Sequence, residues 1–159
     1  MLYLVETLHI TNLEKLKKFC GGKFSILTTY KIGIELLQCL KYIHKAGYIY
    51  LNIKGDNISL LYESIKKSKF INHITIINYC FCTKYIENDN LLLPKEKAPR
   101  INENLYYSSV NSLSDKPVSY KDDILAMCYY LIYLYKRKLR WHALSGDNKD
   151  KKKIYPNKK

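Results

Sequence analysis

The stretch Tyr48-Ile49-Tyr50-Leu51-Asn52-Ile53-Lys54-Gly55-Asp56-Asn57 decides how this chain is read. An amphipathic segment stops just before it at His44-Lys45-Ala46-Gly47, where glycine supplies the turn that ends a helix. Two short apolar runs follow it, Ile58-Ser59-Leu60-Leu61 and His73 to Ile77, and the second leads into Asn78-Tyr79-Cys80. A polar loop held between a helix and strands is where a rigid scaffold displays its chemistry. Lys54 brings a positive charge to that loop. Asn52, Asn57 and Asn78 bring only neutral amides, which accept and donate hydrogen bonds but do not titrate.

Upstream, Ser25 is a suitable N-cap for a helix from Ile26 to about Ala46. Ile26, Tyr30, Ile34, Leu37, Leu40 and Ile43 recur at helical spacing, over a length of roughly 30 Å. Before it, Leu13, Leu16 and Phe19 predict a short amphipathic helix ending at Gly21-Gly22. Leu2-Tyr3-Leu4-Val5 reads as a buried strand that Glu6-Thr7-Leu8 leaves. A core strand at the very start would have unpaired edges, so the beginning is read as truncated.

Downstream, the insert Glu63 to Lys69 is expected to join the two apolar runs as a hairpin. Residues Ile86 to Asn104 lack periodicity and contain Pro94 and Pro99, so they read as a long loop. Asp122-Asp123 opens a helix through Ile124, Leu125, Met127, Cys128, Leu131, Ile132 and Tyr135. It is apolar nearly all round, the mark of a buried central helix. Lys136-Arg137-Lys138 closes it with charge that suits a helix C-terminus. Trp141 and a lysine-rich tail follow.

The 159 residues suffice for about one domain, and with 47% hydrophobic residues they can bury a core. The formal charge of +13 invites anionic partners. Much of it lies in Lys66-Lys67-Lys69 and in the tail from Lys149, which reads as a solvated end. Acidic protein substrates suit that charge as well as nucleic acid does. Sixteen tyrosines accompany abundant Lys, Asn and Ile, all with A/T-rich codons, so part of this bias belongs to the genome. The five cysteines form no C-x-x-C pair, and three fall in segments read as core, which implies reduced thiols. The scattered histidines predict no metal site. Glu6 interrupts the apolar start, and Ile124 to Tyr135 is too short to span a bilayer, so an intracellular chain, cytoplasmic or nuclear, without a membrane partner is expected.

The ordered blocks carry a resemblance. Lys18-Phe19-Cys20-Gly21-Gly22-Lys23-Phe24-Ser25, Tyr42-Ile43-His44-Lys45, Ile53-Lys54-Gly55-Asp56-Asn57 and Ile76-Ile77-Asn78-Tyr79 form the first half. Lys84-Tyr85, Tyr107-Ser108-Ser109-Val110-Asn111 and Ser119-Tyr120-Lys121-Asp122-Asp123 form the second. Together they resemble the C-terminal lobe of a protein kinase over about Leu2 to Trp141. The chain is most similar to the casein kinase 1 group, with vaccinia-related kinases as runner-up. The loop corresponds to H-R-D-x-x-x-x-N, Asn78-Tyr79-Cys80 to D-F-G, and Tyr107 to Asn111 to A-P-E.

The resemblance implies a role for each matched position. Asn52 stands where the family has the aspartate that accepts the substrate proton, and an amide is no base. Lys54 matches the lysine that neutralises the γ-phosphate, and Asn57 the asparagine that holds a metal ion. Asn78 replaces the metal-chelating aspartate, and Mg²⁺ favours carboxylate oxygens over an amide. Tyr50 and Leu51 replace histidine and arginine, and Cys80 replaces a glycine. Ser59 replaces an apolar floor for adenine, and Leu8 falls at the nucleotide pocket. Asn104 and Tyr106 replace a threonine and an arginine of the substrate loop. Asp123 matches the aspartate that anchors the loop backbone, and Trp141 a tryptophan past the central helix. No G-x-G phosphate loop occurs, and the strand lysine with its glutamate partner would precede Met1.

The expected fold is mainly α with short β hairpins, a kinase-like C-terminal lobe lacking most of the N-terminal lobe and the last helices. Residues 1–145 are assigned to that partial domain and 146–159 to a basic, disordered tail. The expected function is a casein-kinase-1-like homologue without phosphotransfer, with a binding or scaffolding role. Neither ATP nor Mg²⁺ is expected as a cofactor unless the family activity is retained. The alternatives are an active serine/threonine kinase using ATP on protein substrates, and a basic nucleic-acid-binding module. Protein partners are expected and nucleic acid is not. Without covering helices, apolar surface is expected to be exposed, so that the chain aggregates or needs a partner.

Overall fold

Polar caps and glycines set the limits of the helices. A computed structural model describes residues 9–61, 74–87, 90–91, 104–114 and 116–142. Strand β1 (His9–Asn12) runs directly into helix α1 (Leu13–Phe19). The Asn12 side chain accepts a hydrogen bond from Lys15 N at 2.9 Å, which satisfies an orphan donor of the first turn. Gly21 and Gly22 then take φ of +72° and +84°, as the glycine stop requires. Phe19 departs from its expected place on the buried face, being 91% exposed. It is the last residue of α1, where the chain turns into Gly21 and Gly22. Strand β1 itself is not foreseen, because His-Ile-Thr-Asn offers one aliphatic residue and no alternation.

Helix α2 (Ile26–Lys45) begins as the sequence predicts, with Ser25 Oγ accepting from Thr28 N at 3.1 Å. Its buried stripe is Thr29, Ile32, Leu36 and Leu40. The expected stripe is only partly right: Leu40 is buried, but Ile26, Tyr30, Ile34 and Leu37 are exposed. The helix carries two apolar stripes, and contact with β4 and the last helix selects one of them.

Strands β1, β3 (Ile58–Leu61) and β4 (Ile74–Ile76) form an antiparallel sheet in that order. Ile58 faces Ile76 and Leu60 faces Ile74, so the two apolar runs do pair. Strand β2 (Tyr48–Ile49) pairs with β5 (Thr83–Lys84). Within the stretch read as loop, β6 (Ile86–Glu87) pairs with β7 (Asn90–Leu91), elements too short to leave a periodicity. The strand Leu2 to Val5, the insert Glu63 to Lys69, most of the stretch from Ile86 to Asn104, and the tail lie outside the described residues.

Helix α3 (Val110–Leu113) is a single turn, and α4 (Tyr120–Lys136) is the central helix. Ser119 N donates to Asp122 Oδ2 at 2.7 Å, so α4 starts ahead of the aspartates rather than on them. The expectation of burial all round fails: Leu125, Ile132, Tyr135 and Cys128 are exposed, while Ala126, Met127, Tyr130 and Leu134 are buried. All five cysteines are free thiols, and Cys20, Cys80 and Cys128 are exposed. Among the described residues no helix is long and apolar enough to cross a membrane. The described residues form a mixture of helices and small antiparallel sheets, which agrees in part with the expected helices and short hairpins and is compatible with part of a kinase-like lobe.

Candidate functional site

The loop Tyr50 to Asn57 is held by one carboxylate. Asp123, fully buried in the first turn of α4, accepts from Leu51 N at 2.7 Å through Oδ1 and from Tyr50 N at 2.8 Å through Oδ2. His44 Nε2 lies 2.8 Å from the same Oδ2, and its ring stacks on Tyr120 at 4.4 Å. Leu51 takes φ of +64°, which turns two successive N–H groups toward one anion. A buried carboxylate needs such partners to offset its lost hydration. Asp123 thus occupies the anchoring position that the sequence assigned to it.

Tyr50 ties the loop to the Asn78 segment. Its ring is fully buried, and its hydroxyl donates to Ile77 O at 2.6 Å. Burial pushes the Tyr50 phenol far above its ordinary range, so it stays a donor. From the other side, Ile77 N donates to Asn57 O at 2.9 Å. Asn78 takes φ of +63°, a conformation that asparagine tolerates better than most residues. The positive φ falls at Asn78 and not at Cys80, so position 80 needs none of the backbone freedom of a glycine.

The structure brings Asn52, Asn57 and Asn78 together. Asn57 Nδ2 donates to Asn52 O at 2.9 Å, and that acceptor fixes which way the Asn57 amide faces. Its Oδ1 then accepts from Asn78 Nδ2 at 3.4 Å. The side chain of Asn52 has no exposure, and among the described residues neither its Oδ1 nor its Nδ2 finds a hydrogen-bond partner. Lys54, half-buried and extended, precedes the 3-10 turn Gly55–Asn57, and its carbonyl accepts from Asn57 N at 3.0 Å. Leu8 lies outside the described residues. For Mg²⁺ the donor set is a poor fit, since two paired neutral amides offer no carboxylate. Among the described residues no group of three or more His, Cys, Asp or Glu could hold a metal ion.

Several supports escaped the sequence reading. Asn104 Nδ2 donates to Ile53 O at 2.8 Å, binding the second half of the chain to the loop. Ser109 Oγ donates to Asp122 Oδ1 at 2.6 Å, and Trp141 Nε1 to Tyr106 O at 2.8 Å. Ser59 is buried and donates to Thr11 O at 2.9 Å, so its hydroxyl serves the sheet. At Gly55 a Cβ would stand 2.7 Å from Tyr130 Oη and 2.9 Å from Glu14 Cβ, which leaves room only for glycine. Its place directly before Asp56-Asn57 is the one signal that could have marked it. A stack runs from Tyr106 through His142 to Tyr133, with ring separations of 4.4 and 4.8 Å. Lys17 Nζ closes it at 3.4 Å from the Tyr133 ring. Burial lowers the pKa of Lys17, and burial together with the Lys17 charge lowers that of His142.

No protein-family model matches the chain. Over 153 residues, 96% of its length, it is 28% identical to a Dictyostelium discoideum protein named a probable serine/threonine-protein kinase. The chain spans 29% of that relative's length. Together with the loop and its anchor, this similarity supports a protein-kinase-like relationship for the chain.

Proposed function

We propose that the chain is a casein-kinase-1-like serine/threonine kinase homologue that has lost phosphotransfer and works by binding or scaffolding protein partners. The observation that carries this reading is the amide cluster. Asn52 stands where a base is needed, and Asn78 hydrogen-bonds Asn57 where a metal ion needs oxygens. General-base catalysis requires a group that can take a proton near neutral pH, and an amide cannot. The placement within the casein kinase 1 group rests on the serine-then-asparagine form of Tyr107 to Asn111. Acidic proteins are the partner class that the +13 charge favours.

The test is incorporation of labelled phosphate from ATP into casein, with Mg²⁺ and then Mn²⁺. No incorporation above a no-enzyme control is expected. Turnover that disappears in Lys54→Ala would overturn the proposal. The name of the relative, with Lys54 and Asn57 in place, favours the second reading, an active kinase acting on protein substrates. Asn52→Asp with Asn78→Asp, made in a longer protein that supplies a Gly-rich loop and a strand lysine, separates the two: under the first reading only the double variant gains activity, whereas under the second the unsubstituted protein already has it.

A further inference from the structure

Helices α2 and α4 run antiparallel, as Phe24 N to Leu134 O at one end and Tyr120 Oη to His44 O at the other require. They touch where Gly33 meets Leu131. Along this contact lies a groove of about 360 Å³ walled by Tyr30, Ile34 and Leu37 on one side and Leu131, Ile132 and Tyr135 on the other. Tyr30 is 66% exposed, Ile34 60% and Ile132 49%. Two further hollows extend it both ways, one past Leu37 to Lys41 and Lys45, the other past Ile132 to Lys136, Lys138 and Arg140.

The rim is positive at both ends and uncompensated by its own helices. No acidic side chain lines any of the three hollows. The acidic residues of α2 and α4 are spent inward: Glu35 accepts from Ile74 N, Asp122 from Ser109 and Ser119, and Asp123 from the loop.

We propose that this groove docks an amphipathic helix of a partner protein, about five to six turns long and acidic at both ends. The length follows from the 20 residues of α2, roughly 30 Å. The apolar floor suits helix-in-groove recognition, and the two basic ends select the charge. The same ends repel the other occupants. Residues 149–159 carry six lysines against one aspartate, and a second copy brings another +13 in any orientation. The proposal goes beyond the kinase reading and stands whether or not phosphotransfer is retained.

The test is fluorescence anisotropy of the full chain with a labelled amphipathic peptide of about 20 residues, leucines on one face and glutamates at both ends. Two controls carry the same composition without the periodicity, and lysines in place of the glutamates. The acidic amphipathic peptide is expected to bind at least tenfold more tightly than either, and to weaken as salt rises. Ile34→Glu and, separately, Lys138→Glu with Arg140→Glu should each reduce that affinity at least tenfold without altering the thermal melt, since all three side chains are exposed. Equal binding of the shuffled peptide, or affinity undiminished in both variants, overturns the proposal. So does a dimer in sedimentation that Ile34→Glu dissolves, which assigns the groove to a second copy. A photocrosslinker placed at Ile34 that captures residues 143–159 of the same monomer assigns it to the tail and overturns the proposal equally.

Discussion

Asp123 shows how much one side chain can carry. Its carboxylate takes two backbone N–H groups and an imidazole with no solvent to replace them. Asp123→Ala is expected to cost roughly 3–5 kcal/mol, the range for breaking a buried charged network. Urea denaturation should show the midpoint fall with little change in slope. Gly55 sets the opposite constraint, an atom that must be absent. Gly55→Ala should cost about 1–3 kcal/mol through overpacking. Tyr130→Phe removes the hydroxyl 2.7 Å from that Cβ, a hydroxyl with no hydrogen-bond partner among the described residues. The double variant should therefore be more stable than the sum of the singles predicts, and a double-mutant cycle measures the difference. The anchoring aspartate and the three asparagines could be read from sequence because they stand in a recognisable order. Their bonds could not, since Tyr50 and Asp123 are 73 residues apart and spacing says nothing of such contacts.

At the scale of elements, α2 separates what periodicity can tell from what it cannot. Ser25, the helical spacing and Gly47 gave its existence and its ends nearly to the residue. The choice between its two apolar stripes was made by β4 and α4, which no local pattern encodes. Leu36, fully buried, should lose roughly 2–5 kcal/mol on Leu36→Ala. Ile34→Ser on the other stripe should stay within about 0.5 kcal/mol of the parent. Thermal and chemical melts of the two variants check the assignment, and equal losses would refute it. The sheet partner β1 escaped for the same reason: its edge is defined by register with β3, not by its own four residues.

Across the whole molecule, the stack of Tyr106, His142 and Tyr133 under Lys17 fastens the end of the described chain to its beginning. His142 is disfavoured as a cation by burial and by Lys17, with Glu14 opposing. The neighbouring Tyr107 and Tyr133 phenols are pushed up by burial and stay neutral at ordinary pH. Its folded pKa lies below the unfolded value, so the fold prefers the neutral ring. The stabilisation is fully present above the reference value of 6.5 and is lost as pH falls below it, where the unfolded chain takes up a proton first. Melting temperature followed from pH 8 to pH 5.5 should fall in the acid part of that range. His142→Gln should flatten the part of the slope that belongs to this ring, and an unchanged slope would remove the explanation.

The amide pair at Asn57 and Asn78 has a consequence for what the loop tolerates. While the two amides hydrogen-bond each other, donor to acceptor, the pocket is at rest without any ion. Restoring aspartate at position 78 alone turns that contact into oxygen against oxygen, which is repulsive until a cation or a proton intervenes. Asn78→Asp alone is thus expected to lower stability. The paired amides hold the loop in its present form, and a single carboxylate at position 78 works against it.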